Sequence, residues 1–207
     1  MKDLTYTISE TMLLYPGQPQ PRLHDFARPE IDGYGMSEFA FWNHLGTHLD
    51  APTHFYADGW SLDTFPIERF ITVVHTIDCR QLTSIQPQHV LPTLMHMPKG
   101  EAVLLLTGQY RYWGTPRYFD PFPVLDDAAA DLLVEHEVRM VLVDAPSVDL
   151  VETTDFPNHH RLLRAPLLIV ENLAYREDLP DTFKIAALPL KIEASNGSPA
   201  RIITLDD

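Results

Sequence analysis

Eleven residues, His44 to His54, read HLGTHLDAPTH and hold three histidines and one aspartate at even positions: His44, His48, Asp50 and His54. Imidazole nitrogen and carboxylate oxygen are the ligands that zinc, manganese and similar divalent ions take. Four such groups in so short a span point to a metal centre. Side chains alternate along a strand, so all four would share one face. A straight strand, however, sets residues four apart at roughly 13 Å, near the limit for two imidazoles bonded to one ion at about 2 Å each. The chain is therefore expected to bend between His44 and His48, at Gly46 and Thr47, and Pro52 excludes one continuous helix. The pattern predicts a strand end entering a tight loop, with the metal at the bend.

A second cluster lies downstream. His159 and His160 open a helical-looking segment, HHRLLRA, with Asn158 as its expected cap, and Glu171 closes the apolar strand LLIVEN. A glutamate ending an apolar strand is costly to bury alone, so a cation is expected to meet it.

The elements that must position these groups are those of an α/β domain. Ile71 to Ile77, Ala102 to Leu106 and Met140 to Val143 are β-branched or continuously apolar, as buried strands are. Asp126 to Glu137 has a helix pattern with an aspartate cap, and Gln86 to Met95 is a second candidate helix. Strand, helix, strand from Ala102 to Val143 is the spacing of a parallel crossover. Leu4 to Ser9 is expected to open the chain as a strand, and the proline-rich Leu13 to Pro29 to form an extended loop. Gly108 to Pro123, rich in aromatics and proline, reads either as a loop packed by its own rings or as a pocket wall. Lys184 to Ile192 and Arg201 to Leu205 read as two strands, with turn chemistry at Asn196-Gly197.

Composition narrows the function classes. The chain has 207 residues, 45% of them hydrophobic, which suits one globular domain over 1–207. A formal charge of −14 argues against nucleic acid and against anionic membrane surfaces. The single cysteine, Cys79, excludes an internal disulfide and suits a reducing cytoplasm, and neither a signal peptide nor a membrane span is read in the sequence. A small-molecule substrate is the expected partner. Structural zinc sites are usually closed and often built on cysteines, so the carboxylate-rich set here favours an open, hydrolytic centre over a purely structural ion. A binding module that had lost catalysis would be expected to lack one of these groups.

HLGTHLDAPTH resembles the HxGTHxDxPxH signature of the cyclase family of metal-dependent amidohydrolases. Tyr15-Pro16-Gly17 resembles the W/Y-P-G element that the family places over its substrate, with Tyr15 where kynurenine formamidases usually carry tryptophan and Gln18 where an acidic residue is common. Asp144 to Asp149 with His159 and Glu171 resembles the second metal segment, where the ligand histidine lies twelve residues before the glutamate; this selects His159 over His160. ALPLKIEASNGSPARIITL resembles the C-terminal hairpin. The resemblance implies a single swivelling β/β/α domain, with a mixed, partly barrel-like sheet and helices outside, in a homo-oligomer, dimer or tetramer. It also implies two divalent metal ions per chain, zinc first and manganese second, held by His44, His48, Asp50, His159 and Glu171, the two carboxylates bridging or sharing the ions. His54 is then the catalytic proton shuttle, and Tyr15 contacts substrate. The implied reaction is hydrolysis of a small amide by an activated water, N-formylkynurenine to kynurenine and formate. Isatin-like cyclic amides or lactones are the alternative.

Overall fold

The computed structural model describes residues 1–205. Nine strands and four helices follow one another as β1 (Arg22–Ala27), α1 (Pro29–Asp32), β2 (Met36–Ala40), β3 (His48–Asp50), β4 (Ile71–Asp78), α2 (Pro87–Leu94), β5 (Ala102–Leu106), α3 (Asp127–Glu135), β6 (Met140–Val143), α4 (Pro157–Leu163), β7 (Leu168–Glu171), β8 (Thr182–Pro189) and β9 (Gly197–Thr204). Seven strands close a mixed barrel in the order β3-β7-β6-β5-β4-β8-β9, with β9 returning to β3. The partly closed sheet expected from the family is thus a complete ring within one α/β domain.

The barrel follows from the apolar runs. β4, β5, β6 and β7 pair in parallel, and α2, α3 and α4 supply crossovers between them. Each central strand is apolar on both faces because each face meets a different core. Leu104, Leu106, Leu142, Leu168 and Val170 fill the barrel interior, while Val103, Leu105, Val141, Val143 and Ile169 pack under the helices with Val90, Leu133 and Leu162. α3 is capped as expected, Asp126 Oδ1 accepting from the Ala129 amide at 2.8 Å. α4 is not capped by Asn158. Its first residue follows Phe156, which adopts a left-handed conformation (φ 45°), and Asn158 instead donates its side-chain amide to the Leu125 and Val148 carbonyls.

Two other expectations fail. Leu4 to Ser9 forms no strand; Asp3 makes one isolated bridge to Ile203, and Leu4 is held by backbone bonds to Ile202 and Ala174. The segment read as an extended loop contains β1, which pairs antiparallel with β2 as a separate two-stranded sheet. No helix among the described residues is long and apolar enough to cross a membrane.

Candidate metal centre and pocket

β3, the shortest barrel strand, carries the centre. The chain bends at Gly46, between His44 and His48 as expected, and enters β3 from that bend. Gly46 has φ 59°, His44 precedes the bend, and the strand runs from His48 to Asp50. His48 pairs across the sheet with Glu171 of β7, so strand register alone brings two of the sequence-marked groups together. Pro52–His54 then forms a 3-10 turn that folds His54 back over the strand, its ring stacked on His44 at 3.9 Å. α4 brings in His159 from the other side. The structure therefore gathers His44, His48, Asp50, His54, His159 and Glu171 at one place.

Their geometry is specific. His48 Nε2 lies 3.3 Å from Asp50 Oδ1 and 3.6 Å from Glu171 Oε2. His159 Nε2 lies 3.5 Å from Asp50 Oδ2 and 3.2 Å from Glu171 Oε1. Each carboxylate thus presents one oxygen to His48 and the other to His159. Two ligand atoms bonded to a tetrahedral zinc stand about 3.3 Å apart, which is the spacing of these donors. Asp50 Oδ2 is buried with no hydrogen-bond partner among the described residues, an orphaned charged atom that a cation would satisfy. Two donor groups, His44–His48–Asp50 and Asp50–His54–His159, can each hold an ion, and they share Asp50. The residues present fit a metal centre.

Electrostatics agree. Burial opposes a charge on His48, yet Asp50 and Glu171 beside it outweigh that cost and raise its pKa to about 9. Burial likewise opposes ionising Asp50, and His44 and His48 nevertheless hold its carboxyl well below the usual range. The carboxylates make the centre a place for positive charge. His54 behaves differently. It is exposed where it lines the pocket, but surrounding protein displaces water and brings its pKa down to about 4, with His44 and His159 adding to the effect against Asp50. It is neutral at pH 7, rather than poised at the ordinary imidazole value near 6.5.

The imidazoles are oriented from behind. His48 Nδ1 donates to the Gly46 carbonyl at 2.8 Å, and His159 Nδ1 lies 2.7 Å from Asp149 Oδ2, leaving both Nε2 atoms turned inward. Asp149 also accepts the Asn158 and His159 amides at the start of α4. His44 differs, with Nδ1 at 2.6 Å from Asp50 Oδ1 and Nε2 at 3.1 Å from Asn196 Oδ1. Asp149, Asn196 and Gly197, which packs against the His44 ring, were not marked as site residues from sequence. Asp144 to Asp149 holds two aspartates, and nothing in the sequence separates Asp149 from Asp144 before α4 is placed. His160 points away, against Tyr56 and Phe55.

A pocket of about 320 Å³ opens onto the centre, at the small end of ligand cavities. Phe55, Trp113, Phe119 and Phe156 give it an aromatic wall, and no lysine or arginine is among its lining residues. Gly108 to Pro123 is accordingly a wall, through Trp113, Tyr118 and Phe119. Tyr15 also lines it, at the head of a turn in which the Gln18 amide donates to the Tyr15 carbonyl at 3.1 Å and Gly17 has φ 89°. Its hydroxyl donates to the Val151 carbonyl at 3.3 Å. Gln18 ties this turn to the centre by donating Nε2 to the His44 carbonyl at 2.9 Å.

Comparison with known proteins shows what the chain as a whole is similar to. The family model described as putative cyclase matches residues 2–150. Kynurenine formamidase of Bordetella avium is 31% identical over 207 residues, covering 97% of this chain and 95% of that protein. The enzyme of the same name from Salinibacter ruber is 27% identical over 207 residues, covering 99% and 96%. Isatin hydrolase A from Labrenzia aggregata shares the fold, with a TM-score of 0.88 at 24% identity, covering 98% of this chain and 92% of that one.

Proposed function

The chain belongs to the cyclase family and is a hydrolase of it, and on that premise we propose that it hydrolyses a small aromatic amide, N-formylkynurenine first, water cleaving the N–formyl bond to give formate and kynurenine. The observation that carries this reading is the double bridge, Asp50 and Glu171 each facing both His48 and His159, at the floor of an aromatic pocket.

His44, His48, Asp50, His159 and Glu171 would hold two divalent ions, zinc before manganese; carboxylates share ions because each offers two oxygens. When bound, such ions acidify water and polarise a carbonyl. His54 does the proton work. It is neutral at pH 7 and neither ring nitrogen is hydrogen-bonded to protein among the described residues, so a ring nitrogen is free to take a proton from the attacking water. The stack on His44 fixes where that proton is held before it passes to the leaving nitrogen. Asp149 keeps His159 in the tautomer that presents Nε2. Tyr15 and the aromatic wall bind the ring of the substrate and exclude water from it.

A second reading has its own support. With no lysine or arginine lining the pocket, nothing of opposite charge meets the α-carboxylate of formylkynurenine, which favours an uncharged cyclic amide such as isatin. Hydrolysis rates of the two compounds on one metal-loaded sample decide between them. In either case His54→Ala is expected to abolish turnover while metal stays bound; retained turnover would remove His54 from the reaction.

A further inference from the structure

We propose that the side-chain amide of Asn172 is the hydrogen-bond donor that holds a carbonyl oxygen of the substrate, with buried Tyr118 setting its direction. The inference rests on the hydrolase reading of the pocket.

β7 ends at Glu171, and the next residue turns left-handed, Asn172 having φ 56°. Asparagine accepts that conformation better than most side chains. Its backbone is pinned on both sides: the amide donates to the Ala145 carbonyl at 3.0 Å, and the carbonyl accepts from Thr47 Oγ1 at 2.6 Å. The side chain lines the same pocket as His48, Asp50 and His159.

Its oxygen is already committed, since the Tyr118 hydroxyl donates to Asn172 Oδ1 at 3.0 Å. The other acceptor near that hydroxyl, the Asp144 carbonyl, is 3.5 Å away, at the outer limit of a hydrogen bond. The Tyr118 proton therefore goes to Asn172, and the Asn172 NH2 is left facing the pocket. Tyr118 cannot easily swing, being 1% exposed and held edge-on by Trp113 and Phe119.

The other carboxamides lining the pocket already have protein acceptors for their NH2 groups. Gln18 spends its NH2 on the His44 carbonyl, and Asn43 spends its own on Asn196 Oδ1 and the Gly197 carbonyl. Asn172 alone among these three has no protein acceptor for its NH2 among the described residues. A neutral donor in a pocket without lysine or arginine suits a neutral acceptor, and an aromatic amide or ketone carbonyl is that acceptor.

Asn172→Gly tests this, because glycine keeps the left-handed backbone and removes the carboxamide, the donor together with the acceptor of the Tyr118 hydroxyl. We expect kcat/KM to fall about 10- to 100-fold with metal content held, and Tyr118→Phe, which removes only the hydroxyl that directs Asn172, to lose less in the same direction. A loss shared by formanilide and its ortho-acetyl derivative assigns the donor to the scissile carbonyl. A loss confined to the ortho-acetyl compound assigns it to the neighbouring ketone. Wild-type kinetics on both would overturn the proposal. Calorimetry adds a readout independent of turnover: acetophenone is expected to bind Asn172→Gly several-fold more weakly than wild type, with ethylbenzene unaffected. If wild type hydrolyses none of these amides but this binding difference persists, the aryl-formamide reading fails and the donor assignment stands; equal binding of acetophenone to both proteins overturns the donor assignment.

Discussion

Gly197→Ala places the smallest possible side chain against the candidate metal centre. Gly197 opens β9, opposite Asp50 of β3. A Cβ there would lie 2.4 Å from His44 Cε1, 2.7 Å from Nε2 and 2.9 Å from Nδ1. Ordinary contact begins near 3.4 Å, so the imidazole must retreat by about 1 Å, a displacement that can cost 10²-fold in an active site. The retreat breaks the 2.6 Å contact of His44 Nδ1 with Asp50 and disturbs the stack on His54. A hydrogen bond to a charged group is worth about 1.5–3 kcal/mol, and 1.4 kcal/mol is tenfold. Metal affinity and kcat/KM are therefore expected to drop about 10- to 100-fold, while thermal stability changes little. The assay is metal per chain after dialysis, with kinetics on the same sample. The His44→Ala background isolates the cause: once the ring is gone, adding Gly197→Ala should cost nothing more. Wild-type metal and kinetics in Gly197→Ala, or an equal penalty without the ring, would refute the reasoning.

Other outcomes follow from the same contacts. Asp149→Asn weakens the bond that orients His159 and should lower metal affinity about 10- to 100-fold, read by competition with a chelator; unchanged affinity would remove Asp149 from the centre. Glu171→Ala should lower metal content and activity together, whereas His160→Ala, which faces Tyr56, should spare both; metal loss in the second variant would mean that the wrong histidine was assigned. Hydrogen bonds from Arg80 hold the Asp78 carboxyl below its usual range. Its stabilisation is then present above about pH 4 and lost as pH falls through the lowered value. Arg80→Met should cost under about 1 kcal/mol at pH 7, the pair being exposed, and progressively less as the pH falls through the lowered Asp78 value; a denaturation midpoint gap independent of pH would contradict this.

The centre was legible where its chemistry is local. HLGTHLDAPTH packs rare ligand types into eleven positions, and Gly46 marks the bend they need. The choice of His159 comes from the family resemblance, whose ligand histidine lies twelve residues before its glutamate, and the structure turns His159 inward and His160 outward. Asp149, Asn172, Asn196 and Gly197 stayed hidden for a different reason. Each matters through a contact that only the closed barrel makes: Asn196 meets His44 across 152 positions, and Tyr118 meets Asn172 across 54. Asn196-Gly197 has the composition of a turn, yet Gly197 begins a strand, its missing side chain making room for an imidazole. The parallel strands were readable because burial on both faces leaves continuous apolar runs. β1 was not, because its RLHDFA is largely exposed and follows a proline-rich stretch that reads as a loop.

The most direct test of the account is elemental analysis of metal-loaded protein, paired with N-formylkynurenine and isatin hydrolysis on the same sample. Two divalent ions per chain with hydrolysis of one or both compounds is the predicted result. A chain that retains no ion after loading would contradict the central claim that Asp50 and Glu171 bridge a metal centre.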